Sequence, residues 1–413
     1  MMNQPQPKFF FSNWFKFYPL KFKVDIGFVV IVITLLLFGL LMVFSASWNY
    51  TLMEGDTAGS QLLKQVQWVL IGTVLAVGLS RVDYHWVQHF ALPFIGISLA
   101  LLILVLAIGE TRYGSSRTLF SGSVQPSELA KLVIVIYLSV WINSKGNLLN
   151  NVKIGFIPLI IILGLTGGLI IIEPDLSAGL TIFILGGLLF FLAGGDFKQI
   201  TIMLLMSLLV GFLLINLTTT GQDRWNQFQL TLYNPAKAHD HIRFSFMAIM
   251  RGGIFGVGLG NGQSKLYHIL PLPYTDSIFS VIAEELGLLG VILLIVLYSI
   301  FLWRGVHIAR KAPDRFGRLL ASGITCWITL EALMNMAVLV GLMPFTGNAL
   351  PFISAGGSHI TTTLIGIGLV LSVSQASNEP KSETERSPLD AVVDLRRWNG
   401  GRGLSRTDRI TGA

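Results

Sequence analysis

Ionisable side chains beside or inside long apolar runs are the residues here most able to do chemistry. Each costs about 2.5–3.5 kcal/mol at the centre of a membrane helix, so each needs a reason to be there. Glu128 and Lys131 stand three apart in Gln125-Pro126-Ser127-Glu128-Leu129-Ala130-Lys131. Pro126 suits a first helical turn, which puts both charges on one face near the helix start. A structural ion pair accounts for the same spacing. Asp276 lies in Pro273-Tyr274-Thr275-Asp276-Ser277-Ile278, where a long polar segment re-enters an apolar run. A carboxylate at that water boundary keeps its charge and can act as a general base. On spacing alone, an N-cap is the stronger account of Asp276. Glu284 lies about two turns further along nearly the same face, and Glu285 does not. The run Gly256-Val257-Gly258-Leu259-Gly260-Asn261-Gly262 lacks the preceding strand of a dinucleotide site, so its glycines serve a tight turn or a close backbone approach. His239 and His241 lack an evident third metal ligand.

The elements that must position these groups are membrane helices. Of 413 residues, 53% are hydrophobic and 12% charged, and the mean hydropathy is +0.68. No soluble domain presents that balance to water. Apolar runs near 26–46, 66–80, 90–108, 126–143, 154–172, 176–193, 200–217, 278–303, 319–342 and 350–374 predict an all-α polytopic membrane protein of about ten transmembrane helices. The stretch from 154 to 193 is nearly two crossings long and divides at Glu173-Pro174-Asp175, since proline disfavours helix at the residue before it. The single cysteine, Cys326, excludes an intramolecular disulfide. The net charge of +7 is scattered between apolar runs, which argues for topology and against nucleic acid.

Orientation follows the basic loops. Lys8, Lys16, Lys21 and Lys23 share a side with Arg81, Lys145, Lys153, Lys198 and the cluster Arg304, Arg310, Lys311, Arg315 and Arg318. That side is expected to be cytoplasmic, as are both termini. Residues 1–24 form a cytoplasmic segment ahead of a retained first helix, 25–376 the membrane domain, and 377–413 a disordered cytoplasmic tail rich in Glu, Arg, Ser and Gly. Glu54, Asp56, Arg112, Arg117 and the Glu173–Asp175 turn fall on the opposite face. So does the one long extracytoplasmic loop, 218–276, between spans seven and eight. Its Trp225, Phe228, Tyr233, Phe244, Phe246, Met247 and Phe255 predict an ordered segment that packs on the bundle or dips into the interface.

Taken in order, the motifs resemble the SEDS family (shape, elongation, division and sporulation), the FtsW and RodA type of bacterial membrane protein. The marks run from Gly39 to Ser47 through Gln125 to Lys131, Pro174-Asp175-Leu176, Gly252 to Gly262, Leu270-Pro271 and Thr275-Asp276. They continue with Ile278-Phe279, Glu284 to Gly287, Asn335, Gly341, Pro344, Thr346-Gly347, Leu350 to Ser354 and Gly356 to Ser358. The resemblance implies a peptidoglycan glycosyltransferase of the bacterial plasma membrane. Such an enzyme polymerises lipid II into glycan strands at the outer face, with a class B penicillin-binding protein and other division or elongation proteins as partners. It implies Asp276 as the base beside Thr275, and Arg117, Lys131, Arg243 and Lys265 as candidate substrate-binding cations, with Glu128 orienting Lys131 or tuning Asp276. No ligand set identifies a metal site, and a divalent cation, Mg or Mn, is compatible with a pyrophosphate leaving group. Thr118, Glu173, Phe244, Leu272, Tyr274, Ser277, Glu331 and Ala355 depart from the family pattern; glutamine is common where Glu331 stands. Two other classes suit a polytopic bundle: a flippase for the lipid-linked precursor and a catalytically silent scaffold. Against transport stands the gathering of ionisable groups toward the outer face instead of the midplane. Gly167-Gly168 and Gly186-Gly187 permit a docked helix but equally serve internal packing.

Overall fold

The computed structural model describes residues 24–53, 59–108, 110–112, 115–118, 125–173, 175–266, 270 and 273–377. The N-terminal lysines, Glu54, Asp56, Pro174, Pro271, Leu272 and the tail beyond 377 lie outside the described residues. Among the described residues the chain is all-α apart from one short ribbon. In order it forms α1 (Ile26–Met53), α2 (Ser60–Ser80), α3 (Trp86–Ile108), β1 (Glu110–Arg112), β2 (Ser115–Thr118), α4 (Pro126–Lys145), α5 (Ile157–Ile172), α6 (Leu176–Leu192) and α7 (Phe197–Leu217). It continues with α8 (Thr219–Tyr233), α9 (Asp240–Gly252), α10 (Gln263–Leu266), α11 (Ile278–Lys311), α12 (Arg315–Leu339) and α13 (Gly357–Ser377). Among the described residues eight helices are long and apolar enough to cross a membrane. The shorter apolar stretches Leu176–Leu192 and Phe197–Leu213 complete the ten expected spans.

Local chemistry sets the breaks. Gln125 is extended before Pro126, so α4 starts with proline in its first turn. α5 and α6 separate where expected: the Asp175 side chain accepts from the Ala178 N–H at 3.1 Å and caps α6. A Cβ on Gly186 would lie 2.4 Å from the Leu163 side chain, and one on Gly167 would lie 2.8 Å from Phe183. Those glycines therefore serve α5–α6 packing inside the chain.

Three elements differ from the sequence expectation. The loop holding Arg112 and Arg117 contains an antiparallel ribbon, with Arg112 opposite Ser115 and Glu110 opposite Thr118. The tenth span starts at Gly357, not near 350. Residues 343–356 run without helix because Pro344 and Pro351 each remove a donor, and buried side chains take over the backbone pairing. The eighth span is broken at Gly287, with φ 65° and ψ −161°. The glycine run fills that break. Val257 and Gly258 donate to the Glu284 and Glu285 carbonyls at 3.0 Å, while Leu288 and Leu289 donate to Gly253 and Ile254 at 2.9 and 3.2 Å. A Cβ on Gly256 would lie 2.1 Å from the Glu285 carbonyl oxygen, so glycine is required for this close approach.

The described residues of the long loop comprise α8, α9, the glycine run and α10. α12 is the most enclosed of the eight span helices, and Trp327 on it is fully buried.

On the face opposite the long loop, the turn between α2 and α3 is clamped to the start of α12. His85 Nδ1 lies 2.7 Å from Asp83, and its Nε2 lies 3.6 Å from Asp314. Tyr84 donates its hydroxyl to Asp314, which also accepts from the Phe316 and Gly317 N–H groups at 3.1 and 3.3 Å. The Asp314 carboxylate, with Asp83, pushes the His85 imidazolium up from 6.5 to about 9. The clamp is then fully present below the unfolded value of 6.5 and is lost as pH rises through about 9. Because His85 is 44% exposed, solvent screens much of the gain. In thermal unfolding, the wild-type advantage over His85→Gln is expected at pH 6.5 and absent above about 9. An advantage that grows with pH contradicts this clamp.

Candidate active site

Asp276 sits half-buried in the turn that leads into α11. The N-cap position of α11 is Ser277, whose side chain makes no capping bond, and Asp276 precedes it by one residue. Its turn is laced to the non-helical segment 346–355. Asn335 donates its side-chain amide to the Asp276 carbonyl at 3.1 Å and to the Asn348 carbonyl at 2.5 Å. Ser354 donates its hydroxyl to the Thr275 carbonyl at 2.8 Å and accepts from the Leu350 N–H at 2.7 Å. The Ala355 N–H donates to the Tyr274 carbonyl at 2.9 Å. Gly347 lies against the carboxylate, for a Cβ there would stand 2.8 Å from Asp276 Oδ2.

About one helical turn along α12 from Asn335, roughly 6 Å, lies a buried charge cluster. Lys131 donates to Glu128 at 2.9 Å and also to Glu331. His359 Nδ1 lies 2.8 Å from the other Glu128 oxygen. All four residues are buried. Glu128, Glu331 and His359 each place one ligand atom within 4.8 Å of the others, the spacing of a metal site. The donor set does not fit a metal, because the Lys131 ammonium already bridges both carboxylates and a dication there would stand against it. Glu128 and Lys131 thus form part of a four-residue structural cluster, with Lys131 enclosed between carboxylates.

The remaining expected residues are dispersed. Lys265 is 1% exposed, donates to the Ser45 carbonyl and hydroxyl at 2.8 Å, and pairs with Glu285. It ties the long loop to α1. Glu284 accepts from the backbone N–H groups of Gln263 at 3.1 Å and Ser264 at 3.2 Å. Arg243, 39% exposed, pairs with Asp240 at 3.1 Å and lies over the Phe244 ring at 4.5 Å. Arg117 is on β2, and its side chain lies outside the described residues.

His239 and His241 stack on one another and on Phe345, with ring centroids 4.5–5.4 Å apart. His241 Nδ1 is 3.3 Å from the Ser277 hydroxyl. Burial, with His239 beside it, pushes the His241 imidazole down from 6.5 to about 4, so the ring is neutral at neutral pH. These histidines brace the segment that covers Asp276.

Glu331, His359, Asn348 and Ser354 were not singled out as site residues from sequence. An inventory of every ionisable residue inside a span would have found Glu331 and His359. Asn348 and Ser354 act on backbone groups, and no side-chain pattern announces that.

A groove of about 200 Å³ opens beside this site. It is lined mainly by apolar residues of α5, α6 and α7, with Arg224 and Trp225 of α8 along it. Pro344 and Thr346, from the segment that covers Asp276, also line it.

The sequence model of the FtsW, RodA and SpoVE family, described as cell cycle protein, matches residues 27–379. The chain belongs to that family. Among its FtsW-type relatives is a "Probable peptidoglycan glycosyltransferase FtsW" of Trichlorobacter lovleyi, 35% identical over 360 residues, covering 85% of this chain and 93% of the relative. Stage V sporulation protein E of Bacillus subtilis is 33% identical over 368 residues, covering 86% and 98%. Two solved structures are similar. One is a chain from work on structural coordination of polymerization and crosslinking by a peptidoglycan synthase complex, with TM-score 0.71, 26% identity and coverage of 86% and 99%. The other is the Rod shape determining protein RodA of Thermus thermophilus, with TM-score 0.63, 26% identity and coverage of 88% and 100%. FtsW/RodA membership fixes the chain as a multi-pass membrane protein and agrees with the span order described above.

Proposed function

We propose that this FtsW/RodA-type protein is a peptidoglycan glycosyltransferase that polymerises lipid II, with Asp276 as general base. The observation that carries the reading is the Asp276 turn, held by Asn335 and Ser354 next to the segment whose Pro344 and Thr346 line an apolar groove. A lipid-linked sugar needs both features: apolar lining for its chain and a base near its headgroup. Asp276 takes the proton from the attacking sugar hydroxyl. The new glycosidic bond forms as the bond to the lipid pyrophosphate breaks, and the pyrophosphate leaves on its lipid. Arg117 and Arg243 are the cations assigned to the pyrophosphate. Lys131 joins them only by exchanging a carboxylate partner for a phosphate oxygen. By the positive-inside rule the long-loop face is extracytoplasmic, since Arg304, Arg310, Lys311, Arg315 and Arg318 lie at the other ends of α11 and α12. The structural likeness to a chain of a synthase complex that couples polymerization to crosslinking supports a class B penicillin-binding protein as partner.

Reconstitution in liposomes with fluorescent lipid II and a class B penicillin-binding protein tests this. Glycan chains are expected. Movement of lipid II between leaflets without chains would assign a flippase, and neither activity from folded protein with several partners would assign a scaffold. Gly347→Val should lower chain formation by up to about 10²-fold, the cost of moving a base by about 1 Å, because its side chain crowds Asp276 Oδ2. Gly347 is exposed, so the fold should persist. Wild-type activity in Gly347→Val would contradict this placement of the carboxylate.

A further inference from the structure

The buried residues of α2 are Gln65, Gly72, Ala76 and Ser80, and three of them are small. They let α2 lie close on α13. A Cβ on Gly72 would stand 2.6 Å from the Leu364 side chain, and one on Gly368 would stand 2.6 Å from the Ala76 carbonyl oxygen. Gln65 is the long polar side chain on that face, and it is 3% exposed. A buried amide is costly unless its donor and its acceptor are both used. Here both are. Gln65 donates through Nε2 to the Ser354 carbonyl at 3.2 Å, and its Oε1 accepts from the Gly356 N–H at 3.2 Å. One partner is an acceptor and the other a donor, so the amide has a single orientation.

The corner that Gln65 grips is strained. Phe352, buried, holds φ 68°, in the left-handed region that favours glycine. Such a conformation persists only where its surroundings hold it. On one side of Phe352 the Tyr298 hydroxyl of α11 donates to the Pro351 carbonyl, and on the other Gln65 bonds residues 354 and 356. The same corner carries the Ser354 hydroxyl to the Thr275 carbonyl at 2.8 Å and the Ala355 N–H to the Tyr274 carbonyl at 2.9 Å. A shift at residues 354–356 is therefore passed to the turn that carries Asp276. We propose that Gln65 is a positioning residue for Asp276: it holds the strained corner in register, and with it the turn from which the carboxylate projects. The inference rests on the reading of Asp276 as the base. An apolar residue at 65 would pack as well on α13 but would leave the corner free to relax.

The test uses full-length protein in nanodiscs with lipid II and a class B penicillin-binding protein, and records chain formation beside amide hydrogen exchange. Gln65→Met keeps the side chain long and removes both bonds. Exchange is expected to rise at Ala355 and Gly356 and to stay as in wild type across α5 and α6. Turnover is expected to fall by up to about 10²-fold, the cost of moving a base by about 1 Å, at an unchanged KM for lipid II. Ser354→Ala should lower turnover too, and the double variant should fall no further than the slower single one, because both act through the bond to Thr275. Should Gln65→Met fail to fold, Gln65→Glu decides. Its acid makes both bonds when protonated, so any deficit against wild type should close as pH falls, and a deficit that persists would overturn the proposal. Wild-type turnover in Gln65→Met, with Asp276→Asn inactive beside it, would overturn it as well. So would unchanged exchange at Ala355, or exchange that rises throughout the bundle, which would make Gln65 a packing residue alone. Chains from Asp276→Asn at the wild-type rate would fail the catalytic reading and take this inference with it.

Discussion

Asp276→Ala is expected to lower glycan-chain formation by about 10²–10⁴-fold, the usual contribution of a positioned general base. The loss should fall on turnover and spare folding. What holds the turn is backbone: the carbonyls of Tyr274, Thr275 and Asp276 accept from Ala355, Ser354 and Asn335. The alanine variant keeps all three bonds. Detergent-solubilised Asp276→Ala should therefore elute as wild type does, unfold near the same temperature and bind an added class B penicillin-binding protein as wild type does. A variant that aggregates would instead give the carboxylate a structural role.

The second large effect is on stability. Lys131→Met removes the ammonium shared by Glu128 and Glu331 and leaves two buried carboxylates facing one another. Breaking a buried pair from one side costs about 3–5 kcal/mol, because the abandoned charge has no solvent to return to. Here the Glu331 charge is abandoned and Glu128 keeps only His359, so failure to fold is the expected outcome in size-exclusion chromatography and thermal unfolding. Loss of activity in this variant would by itself say nothing about phosphate binding. Glu331→Gln separates the two roles. Alone, it leaves the Glu128–Lys131 pair with His359 beside it, and wild-type stability is expected. Combined with Lys131→Met, it removes the abandoned charge and should recover part of the folded yield. No recovery in the double variant would contradict the charge arithmetic of the cluster.

Much of this was legible in the sequence, because hydropathy and proline are local signals. Apolar run length gave the ten spans, and Glu173-Pro174-Asp175 marked the α5–α6 break that Asp175 caps. The aromatic content of 218–276 argued for order, and its described residues hold α8, α9 and α10. The break at Gly287 was not legible, since it exists only because the glycine run 252–262 supplies backbone partners from another part of the chain. The non-helical segment before α13 was hidden for a related reason. Leu350 and Ile353 read as the start of an apolar span, yet both are fully buried in a turn beneath Thr275. At the site, Lys131 and Glu128 were recognisable as a pair, but Glu331 and His359 join them from α12 and α13, about 200 residues away in sequence. Lys265 resembled a substrate cation because its loop is polar, and its partner Glu285 was not foreseeable from spacing. Pairings set by tertiary contact leave no periodicity to read.

The most direct test is a comparison of wild type and Asp276→Asn in the same nanodiscs, with lipid II binding and chain formation both recorded and a class B penicillin-binding protein present. Asparagine keeps the size and polarity of the side chain but lacks its charge and its ability to accept a proton. Equal lipid II binding, with chains from wild type alone, is the predicted result. Chains from Asp276→Asn at a rate near wild type would contradict the assignment of Asp276 as the base.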